Sequence, residues 1–466
     1  MAPKWNVADS VTGIRQWWLF LRIGLSIVVF AVLALLFQDR PLVLMGIAVM
    51  PLLAVMVLNF TIPFVLLVVF LFININISYF VATLLFVPLV FISFLITYRN
   101  LRVTDFANPL TNYIIIYTAC VIPSFINMPM HVGPILILWN YIAWILLIYM
   151  MTAIIKDRWF LDVMSIPFLV LVTLNALQVI GLAILTQRRV FGFAGIMFVD
   201  YVALALTVII PFIIRRTGIR RFMFIILGMI LLFAEFFTQT RGIWLATMMT
   251  IGITTVFLFI RSRFFSLSRT RILTTSILTV IILGLSYLAV TTLNPQIANR
   301  AQQISETKSG VLSEEGLTNN SYVTRLLIWH TAYQAFSVHP LVGVGMYAFP
   351  FVSESYSTIA PILFDRYVKR LTPHVTYIAV LTETGVLGLI GFIALIIGMY
   401  RIAIRNFDHC ANEEQKTYAL SLFMAVVYIS CSMTITDAWL WGQGIILWAL
   451  VLSVTTNFPK IAHSIH

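Results

Sequence analysis

Residues 222–260 read FMFIILGMILLFAEFFTQTRGIWLATMMTIGITTVFLFI. Two apolar runs, 222–238 and 242–260, flank a polar turn, Thr238-Gln239-Thr240-Arg241-Gly242. Each run is close to the ~20 residues that cross a hydrocarbon core, and neither keeps a polar face for water. The stretch predicts two antiparallel membrane-spanning helices with one arginine at their shared end.

The same ruler finds further spans on both sides. They fall near 17–37, 42–58, 61–75, 78–98, 110–126, 133–154, 160–184, 195–214 and 272–292, then near 374–400, 418–435 and 438–456. Because 42–98 holds three spans with minimal turns at Asn59 and Asn74–Asn76, the count is twelve to fourteen. Composition agrees: of 466 residues, 61% are hydrophobic and 10% charged, with a mean hydropathy of +1.01. A soluble domain lacks the interior to absorb that much apolar side chain. The expected fold is an all-α polytopic membrane protein with both termini cytoplasmic and one large outer loop with short helices. Residues 1–292 form an amino-terminal bundle of about eleven spans, 293–373 the loop and 374–466 three closing helices, in one integrated membrane domain. Cys120, Cys410 and Cys431 are too scattered for a disulfide framework or a zinc site.

The formal charge is +12, from 29 Lys+Arg against 17 Asp+Glu. In a soluble chain that would suggest nucleic acid, but here loop charge that sets topology accounts for it, and no nucleic-acid partner is expected. With the amino terminus inside, most basic residues fall in inner loops: Lys4/Arg15/Arg22, Arg99/Arg102, Lys156/Arg158, Arg215/Arg216/Arg220/Arg221, Arg261/Arg263/Arg269/Arg271, Arg401/Arg405/Lys416 and Lys460. Four stand in short outer loops: Arg40, Arg188, Arg189 and Arg241. Arg40 has Asp39 beside it, whereas Arg188 and Arg189 have no neighbouring acid. Cations on the wrong side of a membrane usually serve an anionic client, although snorkelling to lipid phosphates is the simpler reading. Glu235 lies about 9 Å of helix rise below Arg241 and is placed to orient it through Gln239. Asp200, Glu383 and Asp437 are further acids within spans, readable equally as structural ion pairs.

The long outer segment, 293–373, includes a helical run from Ser321. Its Tyr322, Leu326, Trp329, Tyr333 and Phe336 recur at helical spacing, an aromatic stripe expected to lie on the membrane surface or pack on the bundle. Arg325 lies in the same run. After His339-Pro340 comes Gly343-Val344-Gly345, too little for a phosphate loop, since no Lys-Ser/Thr follows. His374 then opens a span at the outer boundary, with Tyr377 one turn below on the same face. An imidazole there titrates near neutrality and reaches water, though a capping histidine explains the spacing as well. Glu383 is about half a turn out of phase with His374, which argues against its orienting that ring.

These segments together resemble the bacterial O-antigen ligase and polymerase superfamily. Trp329-His-Thr-Ala-Tyr followed by His339-Pro-Leu-Val-Gly-Val-Gly345 is similar to that family's outer-loop signature. His374-x-x-Tyr377-x-x-x-Leu381-x-Glu383-x-Gly385 resembles the start of the span that follows, and Thr240-Arg241-Gly242-x-Trp244-Leu245 the Arg-Gly-x-Trp element before it. Arg189-x-x-Gly192, with Asp200-Tyr201-x-Ala203, resembles the upstream arginine element, so the likeness spans roughly 185–405. Two positions depart from the family pattern: Val375 where Ser or Asn often follows the histidine, and Asp200 where Asn is common.

The resemblance implies a glycosyltransferase of the inner membrane. It would move a glycan from undecaprenyl diphosphate to an acceptor hydroxyl at the periplasmic face, with no metal or cofactor and with inversion. It implies His374 as general base, with Arg241 and Arg189 on the diphosphate. Arg188, Tyr377, Trp244, Glu235 and Arg325 are then candidate substrate contacts. The partners are the lipid-linked donor, a lipid A–core or glycan acceptor, and membrane lipid. A single long outer loop favours ligase over a polymerase that uses a second lipid-linked repeat. A transporter or lipid-glycan flippase would explain the intramembrane acids but predicts matching halves, which the sequence lacks.

Overall fold

The computed structural model describes residues 87–465 apart from 89, 93, 96–100, 131, 157, 187, 263, 266–269, 271–272, 274–276, 278–283, 287, 294–320 and 441. The spans expected at 17–37, 42–58 and 61–75 lie outside the described residues, as do most of 78–98 and the first part of the outer segment. Among the described residues every regular element is a helix. Five are long and apolar enough to cross a membrane: Arg158–Thr186, Gly192–Arg215, Arg241–Ile260, Thr376–His409 and Gly444–Ala462.

In chain order the helices are α1 (Thr111–Val121), α2 (Val132–Ile154), α3 (Arg158–Thr186), α4 (Phe198–Arg215), α5 (Gly218–Phe237) and α6 (Arg241–Ile260). Within the segment 293–373 come α7 (Ser321–Val338), α8 (Phe349–Tyr356) and α9 (Pro361–Tyr367), followed by α10 (Thr376–Arg405), α11 (Glu413–Ser432) and α12 (Gly442–Ala462). Successive long helices run antiparallel, so the bundle has a histidine end, where α3, α5 and α11 finish, and an opposite end. At the opposite end Arg215 pairs with Glu413, Arg216 with Glu414 at 2.9 Å and Lys416 with Glu413 at 2.8 Å. The two glutamates open α11 behind an Asn412 cap, where the helix dipole favours negative charge. In the interior Trp144 packs on Trp448 at 4.8 Å, and Tyr117 of α1 meets Phe392 of α10 at 5.6 Å.

The His339–Tyr347 segment is not a ligand loop but a plug. Helix α10 breaks at Gly385, whose φ of 67° and ψ of −169° lie outside the helical range. The freed backbone groups there are taken by the plug: Val344 N–H donates to Thr382 O at 3.1 Å and Gly345 N–H to Glu383 O at 3.0 Å, while Val386 N–H donates to Pro340 O at 2.9 Å. Glu383 adds its side chain, with Oε2 accepting from Tyr347 N–H at 3.0 Å. Asn127 holds the plug from behind, donating to Gly343 O at 2.8 Å. Gly343 is left-handed at φ 71°, and a Cβ there would collide with the backbone of Glu383. Conformation and contact both demand glycine, so Gly343→Ala should cost about 2 kcal/mol or more. A fall in the thermal midpoint of the purified protein checks this; an unchanged midpoint contradicts the plug.

The aromatic stripe expected on α7 is divided. The buried face belongs to Ile328, Thr331, Ala332 and Ala335, and of these Ile328, Ala332 and Ala335 pack with Val344, Phe349, Phe364 and Val368 in a small separate core. Leu326 and Tyr333 are exposed, while Trp329 and Phe336 are half-buried. Small residues face inward because α8, α9 and the plug crowd this side. The stripe of large residues thus lies mostly off the packed face, and their periodicity alone does not mark which face packs.

Candidate active site

The polar turn between α5 and α6 is held by Arg189. Its Nε donates to Thr238 O at 2.9 Å and its Nη2 to the Thr240 hydroxyl at 2.9 Å. The guanidinium also lies over the Phe191 ring at 4.5 Å. Two arginines far apart in sequence thus meet at one turn, since Arg241 is the first residue of α6. The Thr240 hydroxyl faces Arg189 and Thr238 O, so no side chain caps α6. The uncapped amides at that helix start add partial positive charge to the two guanidiniums. Arg188 is exposed alongside.

Trp244 and Glu235 fasten the hairpin. Trp244 Nε1 donates to Glu235 O at 3.0 Å, and its ring meets Phe236 edge-on at 5.3 Å. The buried Glu235 carboxylate accepts from the Thr247 hydroxyl at 2.8 Å. The expected relay from Glu235 through Gln239 to Arg241 is not formed. Gln239 is left-handed at φ 53°, and both of its amide atoms are buried without a hydrogen-bond partner.

His374 sits on the loop before α10 rather than in the helix, with φ 57°, an uncommon conformation for a residue with a Cβ. The expected same-face relation to Tyr377 therefore fails: Tyr377 turns inward and packs on Phe392 at 5.6 Å. Two neighbours of His374 are pinned. Pro373 O accepts from Trp329 Nε1 at 2.8 Å, and Thr376 donates through N to Met433 O at 3.0 Å and through its hydroxyl to Thr436 O at 2.7 Å. His374 Nδ1 lies 4.0 Å from the Asp437 carboxylate, and the ring is 38% exposed. Burial lowers the imidazole pKa from its ordinary 6.5, and the nearby Arg325 lowers it further, against the upward pull of Asp437. Burial and Arg325 thus favour the neutral ring, the form that a base needs.

The connection from α11 to α12, residues 433–437, joins the two halves. Ile435 backs onto Gly242, the neighbour of Arg241, where a Cβ would strike the Ile435 side chain. The Ile435 carbonyl accepts from Arg325 Nη1 at 3.3 Å. Asp437 faces His374 from the same turn. Asp200, buried in α4, braces it by accepting from Ser432 at 2.7 Å and Tyr428 at 3.1 Å, and Trp439 Nε1 donates to Ser432 Oγ at 2.9 Å. Asp200 is thus tied to hydroxyls, and Glu383 to the plug. The turn was missed as a site element in the sequence, although its signal, Ser432-Met-Thr-Ile-Thr-Asp437 between two apolar runs, was present.

Arg189, Thr240, Arg241, Arg325, His374 and Asp437 thus gather around one turn at one end of the bundle. Two guanidiniums and a helix start suit a polyanion. A neutral imidazole backed by a carboxylate suits proton abstraction. Comparison with known proteins finds that residues 226–393 match the family model described as O-Antigen ligase. No curated protein matches the chain. The match takes in Arg241, Arg325 and His374, and leaves Arg189 and the 433–437 turn outside. Over residues 226–393, this membrane protein is therefore similar to the O-antigen ligase family.

Proposed function

We propose that the chain transfers a glycan from undecaprenyl diphosphate to an acceptor hydroxyl at the periplasmic face of the bacterial inner membrane, as an O-antigen ligase. The observation that carries this reading is Arg189 docked on the turn that presents Arg241, beside the turn that pairs Asp437 with His374. Arg189 and Arg241 hold the diphosphate. Asp437 faces Nδ1 of His374, which leaves Nε2 for the acceptor. Nε2 takes the acceptor hydroxyl proton as the new bond to the anomeric carbon forms and the bond from that carbon to phosphate oxygen breaks. The diphosphate leaves on its lipid, with its growing charge on the two guanidiniums. One in-line displacement inverts the anomeric centre.

The guanidiniums supply the charge that a metal would otherwise bring, so transfer by purified protein should run at full rate in excess chelator; loss of activity there contradicts the metal-free scheme. A deletion strain separates acceptors. Long glycans accumulating on the lipid carrier indicate a ligase with lipid A–core as acceptor, and single repeats indicate a polymerase.

A further inference from the structure

A groove of about 290 Å³ lies between α3, α4, α11 and α12, with Phe224 of α5 at its mouth. It occupies the half of the bundle away from His374. Its floor is the buried Leu204, Ala205, Leu447 and Leu450, and Ile166 on its rim is 44% exposed, so it opens sideways from the bundle. The lining runs from Leu204 to Phe212 on α4 and from Leu161 to Leu169 on α3. That is about 12 Å of helix rise, close to the depth of one leaflet's acyl chains.

The mouth carries cations. Phe212 and Tyr418, both groove residues, sit beneath Arg216 at 5.9 Å and Arg158 at 5.8 Å. Those two arginines are matched by Glu414 at 2.9 Å and Asp162 at 3.5 Å. Arg220 and Arg221, one turn before Phe224 on α5, are exposed, and no acid of the described residues pairs with them. The groove thus ends in unmatched positive charge at headgroup level. The Arg189 and Arg241 cluster that would hold a lipid diphosphate is at the other end of the bundle.

We propose that this groove binds one acyl chain of an anionic phospholipid of the surrounding bilayer, with its phosphodiester held by Arg220 and Arg221. Apolar walls fix the chain, and the unmatched arginines select headgroup charge, each worth roughly a few-fold in affinity near the surface. The site is independent of the transfer reaction.

The test titrates delipidated full-length protein in detergent with dioleoyl phosphatidylglycerol or dioleoyl phosphatidylcholine, reading bound lipid by native mass spectrometry and stability by thermal unfolding. Phosphatidylglycerol should bind roughly tenfold tighter or better and raise the midpoint more. The exposed double variant Arg220→Gln/Arg221→Gln should erase that preference, and Ala205→Phe, which fills the floor, should remove the tight lipid while leaving the arginines in place. Equal binding of the two lipids by wild type overturns the proposal. So does a preference that survives either variant, or tighter binding of a polyprenyl phosphate than of phosphatidylglycerol.

Discussion

His374→Ala is expected to lower glycan transfer by a factor of about 10²–10⁴ while donor binding stays within about twofold, because the imidazole acts on the acceptor proton and not on the diphosphate. The effect should carry a pH signature. Burial and Arg325 lower the His374 pKa below 6.5, and Asp437 pulls it upward. Only the neutral ring accepts a proton, so kcat/KM should fall as pH drops through a midpoint below 6.5. Asp437→Asn removes the upward pull and should move that midpoint lower, with a loss of about 10–100-fold from poorer ring orientation. Arg325→Gln removes a downward push and should move it higher. A merely structural Asp437 would lower the rate and leave the acid limb where it was.

Arg241→Ala should cost about 10²–10³ in transfer, the scale for removing one preorganised donor from a developing anion. Arg189→Ala should cost as much again in donor binding, since Arg189 also positions the turn that presents Arg241. Arg189→Lys should fail to restore it. Arg189 spends two nitrogens on Thr238 and Thr240, and an ammonium has no planar fork with which to keep both and still reach phosphate. Both arginine variants should raise KM for the lipid-linked donor, whereas His374→Ala should act on kcat. Wild-type KM in both arginine variants would place the diphosphate elsewhere.

Apolar length made the helices legible. The spans read at 133–154, 160–184 and 242–260 are α2, α3 and α6 within a few residues, since a bilayer leaves the backbone few alternatives. Arg189, Arg241 and His374 stood out as candidates too, because a cation or an imidazole at the membrane boundary contrasts with apolar sequence. Their mutual placement was not. Asp437 approaches His374 only because α10 and α11 return the chain to the same end, and no periodicity encodes such a pairing. The plug was hidden for a related reason. Gly343 and Gly385 each signal unusual backbone, but that one fills the break made by the other is a tertiary fact. Gln239 illustrates the limit at the smallest scale: helical spacing put it between Glu235 and Arg241, yet its backbone is left-handed and its amide meets neither.

The most direct test is single-turnover transfer by purified full-length protein in lipid nanodiscs. The donor is a lipid-diphosphate-linked glycan, the acceptor is lipid A–core, and donor binding is measured in parallel for wild type, Arg241→Ala and His374→Ala. The site described here predicts product from wild type, donor bound without product from His374→Ala, and weakened donor binding from Arg241→Ala. Product formation by His374→Ala at the wild-type rate, or wild-type donor affinity in Arg241→Ala, would contradict it.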